Sequence, residues 1–428
     1  MFLSKYGFVA LDLSAKIFTL FFTLLTNHFL DKSSFNELSY FRSTLTMFVG
    51  IIVTALSFYI MTYYDQRKDE KLRVSYDSTV VFILLCGCLL ITLSLFFFKD
   101  ILKLSFISSD TMWLYISIIV LSMFSQTMVF LLKASEVVHK VVKVYLLINC
   151  VLILNSIFFV INFKYSGAIF SLFSFYFMST LISTFTLYSY WKSSLSTIFT
   201  HTPFDLRFRE YLVPNYIESL FSVPRNWLSV YILISMVGFA IVGEVMLVQM
   251  ILGLFSFFNQ SLIMNEYNKI DVTCKNKQLQ WVVSLNKKID ILILSFIAII
   301  LITWDLTKNI LNINTLTDYS IVFLISASIV QVKILPIGML IKRLGKAKLS
   351  LKHNILFTTI LLSSNLFFIY FFGSSGFAFS FLFSWSATLL YILMDIKRLC
   401  IINPRSLILN YTAIILILPV LYFIIRFD

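Results

Sequence analysis

The chain has 428 residues, 59% of them hydrophobic and only 13% charged, with 34 Lys and Arg against 21 Asp and Glu for a net charge of +13. Soluble domains carry about 25% charged residues, so this composition, with a mean hydropathy of +0.91, excludes a globular enzyme and points to an all-α polytopic membrane protein. The basic residues sit in short loops between apolar stretches, which argues for membrane topology rather than nucleic acid as a partner, and the five Cys and four His fall in no metal-ligand or disulfide spacing.

A bilayer core takes roughly 20 apolar residues in helical form. Segments of that kind run over 8–30, 38–64, 78–98, 111–132, 141–163, 167–191, 211–234, 238–264, 286–304, 318–341, 353–372, 375–396 and 406–426. The first carries no small-residue cleavage site and is followed by further spans, so it reads as a retained helix. Inside it Asp12, Lys16, Thr19, Thr23 and Thr26 recur at three- and four-residue steps, which puts them on one helix face. A Lys at the centre of a span costs about 2.5–3.5 kcal/mol, tolerable where the face meets water or protein instead of lipid. Two readings stand for this stripe: a wall of a ligand pathway, or a structural Asp12–Lys16 pair one turn apart.

The loops set orientation. Arg67, Lys68, Lys71 and Arg73 follow the second span, Lys133, Lys140 and Lys143 the fourth, Lys192, Arg207 and Arg209 the sixth, and Lys269, Lys275, Lys277, Lys287 and Lys288 the eighth. The tenth and twelfth spans are followed by Lys342, Arg343, Lys346, Lys348 and Lys352, then Lys397, Arg398 and Arg405, whereas the opposite loops carry little beyond Lys32, Lys99, Lys103, Lys164 and Lys308. The positive-inside rule then makes the N-terminus cytoplasmic, and an odd number of spans leaves the C-terminus outside.

An internal repeat follows. Lys133 and Lys342, Lys143 and Lys352, and Gly167 and Gly376 are each 209 positions apart, and both runs end in a Ser-Gly turn, Tyr165-Ser166-Gly167-Ala168 and Ser374-Ser375-Gly376-Phe377. Spans one to six therefore repeat as seven to twelve, in the same orientation because six is even. The expected organisation is an N-terminal six-helix lobe (1–192), an inter-lobe loop (193–210), a C-terminal six-helix lobe (211–397) and an extra helix in 398–428, the two bundles flanking a central cleft.

The same offset carries Lys16 onto Arg225, and the seventh span has its own stripe of Asn215, Glu218, Ser222, Arg225 and Ser229. Pro214 and Pro224 predict a kink there. Arg225 mid-span, opposite its repeat partner, favours a cavity role over snorkelling to an interface or a structural pairing with Glu218. Lys333, three residues before Pro336, is a further cavity candidate; Glu244 falls near the start of the eighth span, where a solvated position competes. Arg42 and Asp395 lie near span ends, where snorkelling is expected. No G-x-x-x-x-G-K-[ST] loop occurs, so the chain lacks that ATP-driven machinery.

With two six-helix repeats, charged positions on the first and seventh helices, the basic loop Leu344-Gly345-Lys346-Ala347-Lys348 and the later Ser375-Gly376-Phe377-Ala378, the chain resembles the multidrug/oligosaccharidyl-lipid/polysaccharide exporter superfamily. Within it the chain looks most like the O-antigen-type (Wzx) flippases. It departs from the pattern in having only 11 Gly and no Asp beside the cavity around Asn226-Trp227. The resemblance implies a non-enzymatic transporter of the bacterial inner membrane that moves undecaprenyl-diphosphate-linked oligosaccharide by alternating access. Its partners would be membrane lipids, a polysaccharide polymerase and a chain-length regulator. Lys16, Arg225 and Lys333 would meet the diphosphate, and Thr19, Thr23, Asn215, Ser222 and Ser229 the sugars. Asp12, Glu218 or Glu244 would couple transport to an H+ or Na+ gradient, with no other cofactor. A multidrug exporter of the same superfamily is the competing reading, which the basic pair disfavours. An O-antigen polymerase is a weaker one, because the outer connections 99–110 and 305–317 are short and nearly uncharged.

Overall fold

The chain is an all-α polytopic membrane protein. A computed structural model describes residues 2–63, 70–134, 138–191, 213–267, 275–302, 313, 316–344 and 347–398, and their regular structure is wholly helical. The expected inter-lobe loop, the thirteenth span and the loop residues Arg67, Lys68, Lys192, Arg207, Arg209, Lys269, Lys346 and Arg405 lie outside the described residues. Helices α1 (Phe2–Phe29), α2 (Lys32–Tyr63), α3 (Glu70–Phe98), α4 (Met112–Ala134) and α5 (Val138–Trp191) come first. They are followed by α6 (Val213–Ser222), α7 (Pro224–Met236), a 3₁₀ turn (Phe239–Ile241), α8 (Val242–Tyr267), α9 (Lys275–Ile302), α10 (Asp318–Arg343) and α11 (Ala347–Arg398).

Two of these elements hold two spans each. The 54 residues of α5 would reach about 80 Å as a straight helix, far beyond a bilayer core of about 30 Å. The chain instead breaks at Lys164 (φ 50°, ψ −123°), and α11 breaks at Gly373 (φ 57°, ψ −131°). The arms then run back along each other. Tyr145 lies against Ser179 and Ser183 across the first break, and Ser364 against Ser384 across the second at 3.1 Å. The breaks are 209 positions apart (373 less 164), the offset read from the sequence. Both turns depend on a glycine. A Cβ on Gly167 would sit 1.9 Å from the Phe159 carbonyl oxygen, and one on Gly376 would sit 2.0 Å from that of Phe368.

The chain divides into two compact units, Met1–Trp227 and Leu228–Asp428. In the first, α1 and α4 pack on the α5 hairpin, α2 packs on α4, and α3 packs on both α2 and α4. In the second, α10 packs on the α11 hairpin, α8 packs on α10, and α9 packs on both α8 and α10. The order of partners is the same in each. The register is nearly the same too: Asn149 donates to Ser14 at 2.9 Å across 135 positions, and Asn365 donates to Ser229 at 2.8 Å across 136. The hairpin tips are tied alike, through Tyr115 and Tyr165 at 3.0 Å in the first unit and Ser320 and Ser375 at 3.1 Å in the second.

The short turn between α1 and α2 is built by Asp31, whose carboxylate accepts from the Ser34 amide at 3.0 Å as a helix cap. That bond holds the Asp31 carboxyl below the usual carboxylate range.

Candidate functional site

The stripe on α1 changes character along its length. Lys16 is exposed, Thr19 half-buried, and Thr23 and Thr26 are buried; Asp12 falls on α1, but its side chain lies outside the described residues. The neighbouring face, Ser14, Phe18 and Phe22, is what docks α1 on the hairpin, with Phe18 stacked on Phe175 at 4.0 Å between ring centroids. The threonines satisfy themselves locally: Thr19 donates to the Ala15 carbonyl at 2.8 Å, Thr23 to that of Thr19 at 2.8 Å, and Thr26 to that of Phe22 at 2.9 Å. Their oxygens remain acceptors. Thr23 uses this capacity to receive the guanidinium of Arg42 on α2.

Arg42 is a residue that sequence position misjudged. It does not reach for an interface; its guanidinium turns inward to Thr23 and lies 5.6 Å from the Phe22 ring centroid. Both partners are neutral. The only signal for it in the sequence is an Arg inside an otherwise apolar span.

The seventh span is split as its prolines require, into α6 and α7, with Pro224 as the first residue of α7. Tyr216 and Ser219 donate to the Ile52 and Ile51 carbonyls, each at 3.3 Å, and the Trp227 ring nitrogen donates to Thr44 at 3.0 Å. These residues dock the helix on α2. The stripe lies about 100° further round, one residue out of step, and Asn215, Glu218, Ser222 and Arg225 are all half-buried there. Lys16, Arg42 and Arg225 all belong to the first unit.

The remaining candidates are in the second unit. Ser229 is fully buried, and its oxygen accepts from Asn365. Glu244 is buried and accepts from the Leu316 amide at 2.8 Å, fastening the start of α8 to the approach to α10. Lys333 is 1% exposed and forms an ion pair with Asp290 on α9, a partner the sequence reading did not identify. Asp395 does not snorkel; it is buried and accepts from Lys352 at 3.3 Å and His353 at 3.2 Å. Among the described residues, no group of His, Cys, Asp and Glu is placed to hold a metal ion.

The helix order, the two hairpins and the repeated packing define the fold of the MATE and MurJ transporters. The lipid II flippase MurJ in its inward closed conformation matches with a TM-score of 0.64 at 14% identity, over 98% of this chain and 99% of that one. An inward-facing multidrug resistance MATE family transporter of the MOP superfamily matches with 0.61 at 14% identity, over 89% and 94%. The Vibrio cholerae MATE transporter VcmN matches with 0.56 at 12% identity, over 93% and 96%. No family profile matches the sequence, and no curated protein does; the likeness is one of fold.

Proposed function

We propose that the protein is a flippase of the MOP superfamily that carries an undecaprenyl-diphosphate-linked oligosaccharide, an O-antigen or capsule repeat unit, from the cytoplasmic to the outer face of the inner membrane. The observation that carries this reading is the interior of the first unit, where Arg42 meets a hydroxyl and an aromatic face instead of a carboxylate. A cation in a membrane protein is costly and is kept for a partner. A diphosphate is such a partner: it accepts charge-assisted hydrogen bonds, and a guanidinium offers them in pairs. In this reading Lys16, Arg42 and Arg225 engage the diphosphate. Thr19, Asn215 and Ser222 take sugar hydroxyls, Thr23 positions Arg42, and the lipid tail stays in the bilayer.

A multidrug exporter shares the fold, but that reading calls for a cavity of acidic and aromatic residues, which these basic side chains disfavour. The test is complementation of a strain lacking its O-antigen flippase. The wild type restores surface polysaccharide, while Lys16→Ala and Arg225→Ala do not, although both reach the membrane at normal levels and Lys16→Arg keeps more activity than Lys16→Ala. Full activity of both Ala variants would sink the proposal.

A further inference from the structure

Helix α8 is long and apolar enough to cross a membrane over Phe239–Gln260, and no Asp, Glu, Lys, Arg or His falls between Glu244 and Glu266. Its buried side meets its neighbours: Phe255 and Ile263 join a cluster with Leu285 and Ile289 of α9 and Ile329 of α10. The accessible positions divide into two kinds of surface. Ile251 and Phe258 are apolar and share one side, as a lipid-facing surface requires. Gln249, Gly253, Ser256 and Gln260 recur at steps of four, three and four, which places them within about 60° of arc on another side. Gln260 is exposed, and the other three are half-buried.

The polar side is not spent on holding the protein together. Gln249, Ser256 and Gln260 make no hydrogen bond among the described residues. Serines on the neighbouring helices turn back onto the carbonyl one turn before, as Ser295 does on α9 at 2.8 Å and Ser326 on α10 at 2.7 Å; Ser256 does not. A Cβ added at Gly253 would meet no atom within 4 Å, so among the described residues nothing covers the middle of this face. Gly50 on α2 differs, since a Cβ there would lie 2.7 Å from the Val223 side chain. An amide without a partner is costly in hydrocarbon, so a face that carries two of them meets water or a polar ligand instead of lipid.

The chemistry of the face selects its ligand. Each Gln amide offers two N–H donors and an acceptor oxygen, and Ser256 adds a hydroxyl, but nothing on the face supplies a counter-charge to an anion or a cation. Half-buried Phe257 follows Ser256 and sets an aromatic ring beside the polar groups. Neutral amides and a hydroxyl next to an aromatic ring match a sugar, which presents hydroxyls at its rim and C–H groups on its faces. From Gln249 to Gln260 the face runs about 17 Å along the helix, which suits a chain of sugars better than one. We infer that this face of α8 binds the uncharged saccharide chain of the cargo. Gln249, Ser256 and Gln260 are its hydrogen-bonding residues, and Gly253 leaves the space the sugars occupy. This assignment rests on the flippase reading and adds the second unit to the residues that recognise the glycan.

The test uses full-length protein in proteoliposomes and two probes: undecaprenyl diphosphate carrying a single N-acetylglucosamine, and the same lipid carrying an N-acetylglucosamine tetrasaccharide. Wild type should move both. In the double variant Gln249→Leu with Gln260→Leu, the ratio of the tetrasaccharide rate to the single-sugar rate should fall at least about tenfold, the scale of two neutral hydrogen bonds. Gly253→Leu should lower the same ratio by filling the space, while its unfolding temperature stays at or above that of wild type because a helical glycine has been replaced. This second variant keeps the test decisive if the double variant does not fold. An unchanged ratio in folded Gly253→Leu protein, as expected of a face that merely borders water or packs on a second copy of the chain, would overturn the assignment and leave the flippase reading standing. Wild type that moves neither lipid would overturn the flippase reading and the assignment with it.

Discussion

Arg42 in the first unit and Lys333 in the second are embedded cations with different neighbours. In the first, Arg42 rests on the Thr23 hydroxyl and the Phe22 ring. In the second, Lys333 meets the Asp290 carboxylate, and Lys352 and His353 meet that of Asp395. The contrast extends to the open ends of the hairpins. Where α11 is clasped by Asp395 with Lys352 and His353, α5 is clasped by the Tyr145 hydroxyl against Ser179 and Ser183. One packing plan thus carries two electrostatic designs. Arg42, held by neutral groups, keeps its charge for an anionic cargo, whereas Lys333 already shares its charge with Asp290. The repeat preserves the backbone and lets the charges diverge.

Substitutions can break this comparison at graded cost. The largest effect belongs to what the units share. Gly167→Ala and Gly376→Ala should each destabilise the protein by about 3 kcal/mol, because the added methyl meets a backbone carbonyl that cannot step aside. Thermal unfolding in detergent should show a marked drop for both, and a drop in only one would deny that the hairpins are equivalent. Next comes the difference between the clasps. Asp395→Asn should cost about 2 kcal/mol, since it strips the charge from an acceptor serving two cationic or polar donors. Tyr145→Phe, which removes a neutral hydroxyl bond, should cost about 1 kcal/mol. Equal losses would mean that charge adds nothing to the second clasp.

A further effect, of opposite sign at the two positions, concerns the breaks themselves. Lys164 adopts a backbone conformation that Gly373 adopts without a side chain to accommodate. Such strain is worth about 1–3 kcal/mol, so Lys164→Gly should be neutral or raise the unfolding temperature by a few degrees, while Gly373→Lys lowers it.

Much of this architecture is legible in the chain because its signals are local. The Ser-Gly turns, the 209-residue offset and the proline that separates α6 from α7 all sit next to the structure they create. The break at Lys164 is not legible, since a lysine gives no hint of a positive φ. Arg42 and Asp395 were misjudged for a different reason. Distance from a span end says nothing about which face a residue occupies, and their partners, Thr23 and His353, come from other helical segments. Lys333 stands out in the sequence as a mid-span cavity candidate, but its burial and its pairing with Asp290 arise only once α9 packs on α10. The stripes on the first and seventh helices were readable as faces. The role proposed for Arg42 between them required the fold.

The central claim is that the first unit holds Arg42 in readiness for a diphosphate. Its most direct test is translocation of undecaprenyl-diphosphate-linked oligosaccharide by purified protein in proteoliposomes, comparing wild type with Arg42→Ala and Arg42→Lys. Arg42→Ala should lose at least about tenfold in rate, the scale of one charge-assisted contact, with its unfolding temperature within a few degrees of wild type and Arg42→Lys in between. Wild-type rates in a normally folded Arg42→Ala protein would contradict the claim.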